Sequence, residues 1–224
     1  MGRDFQPKER QLARKAIKAA RRAQYARILI VSEGSKTEPL YFGEIRAAYQ
    51  LHSANVVVQP GQLGTAPIQV VQYAKQLVET GDLQKGIRPG SFDQVYAVFD
   101  RDDHGTYYNA LDLAQSLDGR LRNDSNERIA FKAMPSIPSF ELWLLLHYED
   151  IQAPIHRDEV MQRLKRHILG YEKGAGGAFG ITRDRLAIAT QRAQTLAARF
   201  NAHTDPEPFT ALHELVTLLT MLRP

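Results

Sequence analysis

Short apolar runs recur along the first two thirds of the chain, each followed by a longer periodic segment. "RILIVS" (27–32), "NVVVQP" (55–60), "FDQVYAVFD" (92–100) and "ERIAFKAM" (127–134) have the length and β-branched character of buried strands. Between them lie helical segments. "EPLYFGEIRAAYQL" (38–51) repeats Leu40, Ile45, Ala48 and Leu51 near the 3.6 period. "TAPIQVVQYAKQLVETG" (65–81) offers Thr65 as cap, Pro67 in the first turn and Gly81 as terminator. "GTYYNALDLAQSLDG" (105–119) and "PSIPSFELWLLLHY" (135–148) complete a β-α-β-α-β-α-β-α order.

That alternation predicts an α/β fold: a parallel sheet with helices on both faces and right-handed crossovers. After Asp150 it stops. Residues 157–169, 182–202 and 209–222 read as helices, separated by the glycine-rich "GYEKGAGGAFG" (170–180) and by "DPEP" (205–208). The expected organisation is an arm at 1–26, an α/β domain at 27–150 and a helical C-terminal extension at 151–224.

Charge adds a partner to this picture. Residues 1–27 hold nine basic and two acidic side chains, a net +7, so the rest of the +4 chain carries −3. Within a helical pattern at 8–25, Arg10, Arg14, Lys18 and Arg22 are spaced by four and stack on one face. A single-signed face suits a polyanion such as nucleic acid, RNA or DNA, although charged faces are often simply solvated. There is no cysteine, which excludes disulfides and thiolate metal sites and agrees with a cytoplasmic location. No run approaches the roughly 20 apolar residues of a membrane span, and no signal-peptide pattern opens the chain.

Candidate chemistry sits where strands end. "ILIVSEGSKTEP" (28–39) looks like part of a P-loop, but Ser35 stands where G-x-x-x-x-G-K-[ST] needs glycine, and Ile30 lies where the loop should begin. Glu33 remains, at the end of the first strand and expected to face solvent. The third strand ends in "FDRDDHG", which holds Asp100, Arg101, Asp102, Asp103 and His104. The fourth leads to Ser139 and Glu141. Ligands of open parallel sheets bind beyond the carboxyl ends of the strands. Like charges gathered there raise one another's pKa unless a cation relieves them, and hard oxygen donors suit Mg²⁺ or Mn²⁺. A phosphoacceptor receiver would need an acidic pair after the first strand, where only Glu33 stands.

A glutamate after strand one and D-x-D after strand three resemble the Toprim pattern of topoisomerases, primases and related nucleases. "ILIVSEGSKTEPLYF", "VYAVFDRDDH" and "PSFELWLLLHY" together resemble RloB-like, abortive-infection proteins more specifically. The resemblance implies a Toprim-like domain and a Mg²⁺-dependent nuclease of bacterial antiviral defence, a hydrolase of phosphodiesters. It implies Glu33 as general acid/base or metal ligand, Asp100 and Asp102 as metal ligands, and Asp103 and Glu141 as auxiliary ones. It also implies an ATPase partner protein. The rival class is a non-catalytic subunit that binds nucleic acid or that ATPase. A homo-oligomer is compatible with either.

The remaining residues carry plainer readings. His104 is read as a proton donor or phosphate contact, with a helix start as the alternative. Lys36 and Arg101 are candidate phosphate contacts, although an exposed lysine is usually only solvated. Ser139 is read as a helix cap and His147 as a partner of its own helix end. Trp143 with Leu142, Leu145 and Leu146 is read as core. "EKGAGGAF" is read as a mobile linker, because no strand precedes it.

Overall fold

The structure is a computed structural model that describes residues 26–101, 105–204 and 207–222. The basic helix expected at 8–25, with Arg10, Arg14, Lys18 and Arg22, lies outside the described residues, as do Asp102, Asp103 and His104.

Five strands form one sheet in the order β2-β1-β3-β4-β5. They are β1 (Ile28–Ser32), β2 (Val56–Pro60), β3 (Gln94–Asp100), β4 (Ala130–Ile137) and β5 (Phe209–Thr210). The first four are parallel; β5 runs antiparallel to β4, pairing Thr210 with Ser136 and Phe209 with Ile137. The sheet is therefore mostly parallel rather than wholly so. The expected helix at 209–222 gives its first two residues to this edge strand, and α8 (Leu212–Met221) follows.

β1 shows why strands of this kind read as unbroken apolar runs. All five of its residues are buried. Ile28 and Ile30 enter one core, and Leu29 and Val31 enter the other. A sheet covered on both faces has no polar side to display. Each such side chain contributes roughly 1.5–3 kcal/mol by leaving water. The Leu29 face is covered by α2 (Pro67–Glu79) and α3 (Tyr107–Leu117). The Ile28 face is covered by α1 (Thr37–Ala48), α4 (Phe140–Leu145), α5 (Arg157–His167), α6 (Ala178–Thr182), α7 (Leu186–Ala197) and α8.

Several local expectations shift. The cap of α2 is Ala66, not Thr65, and the Gln69 side chain accepts the Ala66 N–H at 3.1 Å. The fourth strand continues through Pro135, Ser136 and Ile137, where a helix start was expected, so the following helix begins only at Phe140. The buried stripe of α1 is Glu38, Tyr41, Phe42 and Ile45, whereas Leu40 is exposed. Trp143 lies in the core as expected and donates to Tyr41 Oη at 2.7 Å. His147 turns to its own helix, its Nδ1 2.9 Å from the Trp143 carbonyl; burial holds its pKa down at about 4. No helix among the described residues is long and apolar enough to cross a membrane.

Candidate active site

Three parallel strands deliver their last residues to one rim. β1 stops at Ser32, and the Glu33 N–H donates to the Val98 carbonyl at 2.9 Å, holding the chain beside β3. The Glu33 carboxylate accepts the Asp100 N–H at 3.0 Å. Glu33 is therefore half-buried and bound to the backbone, not turned out to solvent as the sequence suggested. Asp100 ends β3 opposite Ser136 of β4 and is itself buried.

β4 runs through Pro138 into α4, a short helix buried throughout. Glu141 sits in its first turn with 2 % of its surface exposed. Such an acid needs partners. Ser139 Oγ donates to its Oε2 at 2.9 Å, so this serine serves the carboxylate and makes no side-chain cap to the helix backbone. The Lys173 ammonium lies 3.2 Å from Oε1, and Tyr171 Oη approaches the same oxygen at 3.5 Å.

A fourth carboxylate enters from Glu38, in the first turn of α1. Burial raises its pKa, and the nearby charge of Glu141 adds to the rise; backbone N–H groups of Glu38 and Gly34 and the charge of Lys173 oppose it. Gly34 leaves the Glu38 carboxylate its place, since a Cβ there would stand 2.0 Å from Glu38 Oε2 and displace it. The sequence "EGSKTE" thus turns two glutamates toward one rim and keeps the room between them free of a side chain.

Asp100 collects the result. Its pKa is raised well above the usual carboxylate range, first by burial and then by Glu38, Glu141 and Glu33; Lys173 counters them. The Tyr171 hydroxyl is pushed up likewise, by burial and then by Glu141 and Glu38. Four carboxylates thus meet at the sheet's C-terminal rim, and burial disfavours the charged form of two of them, Asp100 and Glu38.

Of the expected site residues, Glu33, Asp100 and Glu141 come together here. Arg101 leaves the end of β3 with its guanidinium over the rings of Tyr107 and Tyr108, 5.7 and 5.8 Å from their centroids. Lys36 is exposed at the N-terminus of α1. Sequence reasoning missed Glu38 and Lys173. The signal for Glu38 was present: positions 38, 41, 42 and 45 make a helical stripe on which an acid takes an apolar place.

The glycine-rich segment is not a linker but is docked. The N–H groups of Gly177, Phe179 and Gly180 all donate to the Glu44 carboxylate of α1, at 2.5, 2.9 and 3.3 Å. Gly174, at φ +76°, packs so closely on Lys36 that a Cβ would fall 2.8 Å from the lysine Cβ. Both the left-handed φ and the crowding select glycine there.

Among the described residues, no three histidine, cysteine, aspartate or glutamate side chains lie close enough to hold a metal ion as placed. The donor chemistry is nonetheless all hard oxygen, the kind that Mg²⁺ and Mn²⁺ take. A family model described as RloB-like protein matches residues 28–219, which includes every strand of the sheet and nearly all of its helices. No curated protein and no solved structure matches the chain.

Proposed function

The chain belongs to the RloB-like family, and from that premise we propose a metal-dependent phosphodiesterase that acts on nucleic acid, a Toprim-type nuclease of antiviral defence. The observation that supports it is the convergence of Glu33, Glu38, Asp100 and Glu141 on one rim, with Asp100 buried and its charged form disfavoured. Stability alone does not favour placing Glu38 and Asp100 there, because burial and neighbouring acids disfavour their charged forms. Chemistry that needs a cation accounts for it.

Asp100, Glu141 and, from the D-x-D sequence, Asp102 would hold the ion, with Asp103 auxiliary. When bound, Mg²⁺ or Mn²⁺ supplies Lewis acidity at a phosphoryl oxygen and a water of lowered pKa. Glu33 is fixed by the Asp100 N–H at the mouth of the rim, where a general acid/base must sit within hydrogen-bond reach of its proton. His104 is assigned to the leaving oxygen. Arg101, Lys36 and the basic arm take phosphates; their contribution weakens with salt. An ATPase partner belongs to the same reading as the source of control.

The test is cleavage of mixed RNA and DNA by the full chain with Mg²⁺ or Mn²⁺, beside Asp100→Asn. The native chain should cleave and gain thermal stability from the ion, through binding to the folded state. The variant should do neither while remaining folded. Equal cleavage by both would move the site elsewhere.

One observation favours a second reading, a non-catalytic subunit that binds nucleic acid or the ATPase. Both Glu141 oxygens already have partners within the chain, Ser139 on one and Lys173 and Tyr171 on the other. That reading predicts binding without cleavage under every metal and partner condition.

A further inference from the structure

Lys173 reaches from the surface to a buried acid. Its side chain is 49 % exposed, whereas that of Glu141, 3.2 Å away, is 2 % exposed. The segment that carries it is fastened at both ends; between them it is exposed except at Gly174, which lies against the exposed Lys36 side chain. On one side Tyr171 is buried beside Glu141. On the other, Phe179 is buried edge-on to Tyr41, with ring centroids 5.6 Å apart, and the Glu44 carboxylate collects the backbone N–H groups of 177, 179 and 180. In the arch between, Glu172, Lys173, Ala175 and Gly176 are exposed. The arch is closed on itself by a turn, in which the Ala175 N–H donates to the Glu172 carbonyl at 3.2 Å. An arch of this build can lift its middle without disturbing its ends, giving up in between only the contact of Gly174 with the exposed Lys36 stem.

We propose that Lys173 is a resident counter-cation of the acidic rim, that a divalent ion displaces it, and that the arch 172–176 lifts when it goes. The inference rests on the metal reading above and adds how the site is kept when no metal is bound. Removing every cation from the rim would leave Glu141 buried without a counter-charge, a costly state. The ammonium prevents that. It is also a weak occupant, since half of it remains in water. A dication on the same carboxylate would repel it, and Coulomb's law gives the doubly charged ion the stronger hold on the acids. The arch therefore has two positions, set by which cation the rim holds.

The experiment uses the full chain and Mg²⁺ alone as probe. Calorimetric titration compares the native chain with Lys173→Met, which keeps most of the stem and removes the charge. Amide hydrogen exchange of the native chain is followed with and without Mg²⁺. We expect Lys173→Met to bind Mg²⁺ roughly tenfold more tightly, a modest gain because a half-exposed ammonium is screened. We expect residues 172–176 of the native chain to exchange faster in Mg²⁺ while 177–180 stay protected on Glu44. Tighter binding with unchanged exchange would overturn the inference, since a lysine acting only through its field need not move. Equal affinity in the two chains would overturn it as well, with the metal reading intact. No Mg²⁺ binding by either chain would bring down both.

Discussion

Asp93, just before β3, and Asp100, at its end, are partly and fully buried aspartates treated in opposite ways. At the start, Asp93 accepts the Arg27 N–H at 2.7 Å, the Arg27 Nη2 at 2.6 Å and the Asn123 Nδ2 at 2.8 Å. Burial alone would raise its pKa, but these donors outweigh burial and lower it. At the finish, Asp100 is buried among three other carboxylates, and its pKa is raised. Seven positions separate the two. An acid kept for structure is matched donor by donor; the acid at the rim is left with charge to spare. The difference is what the proposed metal site at the rim would account for.

Substitutions at the two ends should therefore part along different measurements. The largest effect is expected on catalysis. Asp100→Asn and Glu33→Gln should each lower Mg²⁺-dependent cleavage by at least about a hundredfold, the scale of losing a positioned acid/base or ligand. Both should melt at or slightly above the native temperature without metal, since Gln keeps an acceptor for the Asp100 N–H and Asn removes a disfavoured charge. Full activity in either would erase the contrast. Gly34→Ala should come next, at roughly ten- to a hundredfold in rate, because the new methyl pushes the Glu38 carboxylate aside. Its melting temperature should hardly change, as the group that gives way is a flexible side-chain end.

At the matched end the readout is stability. Arg27→Ala removes the guanidinium donors to Asp93, leaving Asn123, and the ion pair to Asp124 at 2.8 Å. The pair is only partly buried, so the cost should be about 2 kcal/mol, short of a fully buried pair. For a chain of this size that is about 4–8 °C in a thermal melt. An unchanged melt would show the network to be ornamental.

The smallest effect is in the pH dependence of metal-free stability. Asp93 is lowered from the ordinary 3.8, so its contribution is present above that pH and lost as the pH falls through its folded pKa. Asp100 is raised from the same value, so its contribution is present below 3.8 and lost as the pH rises through its folded pKa. A tenfold difference in proton affinity between the folded and unfolded chain is worth about 1.4 kcal/mol. Melts across the acidic and neutral range should show Asp100→Asn flattening the decline above 3.8 and Arg27→Ala weakening the acid limb. Exchange of these two behaviours would reverse the assignment of the two ends.

The sequence announced the strands and the rim acids through one device, an apolar run cut short by a charge. β1 before Glu33 and β3 through Asp100 both have it, and both lie where the pattern placed them. Glu38 was hidden because Leu40, Ile45, Ala48 and Leu51 offered a rival helical stripe, and the stripe that packs includes an acid. β5 was hidden because two residues are too few for a period of two to register. The dock of segment 170–180 depends on Glu44, 133 positions before Gly177, a contact with no local trace. The segment from Pro135 reads as helix, but β4 carries its register with β3 as far as Ser136.

The two cores close at different times during synthesis. Every buried member of the core under α2 and α3 lies between Leu29 and Phe131, whereas the other core includes Leu219. At about 5–20 residues per second, a ribosome leaves the face of Ile28, Ile30 and Val98 with only α1 available to cover it at first, and incomplete for several seconds after the residues of the opposite core have been made. At the start of that interval the nascent chain has Glu33, Glu38 and Asp100; Glu141 follows ten residues later, and Lys173 later still. A growing chain thus passes through a stage in which one side of the sheet is only partly covered and its acidic edge has not yet received its own lysine.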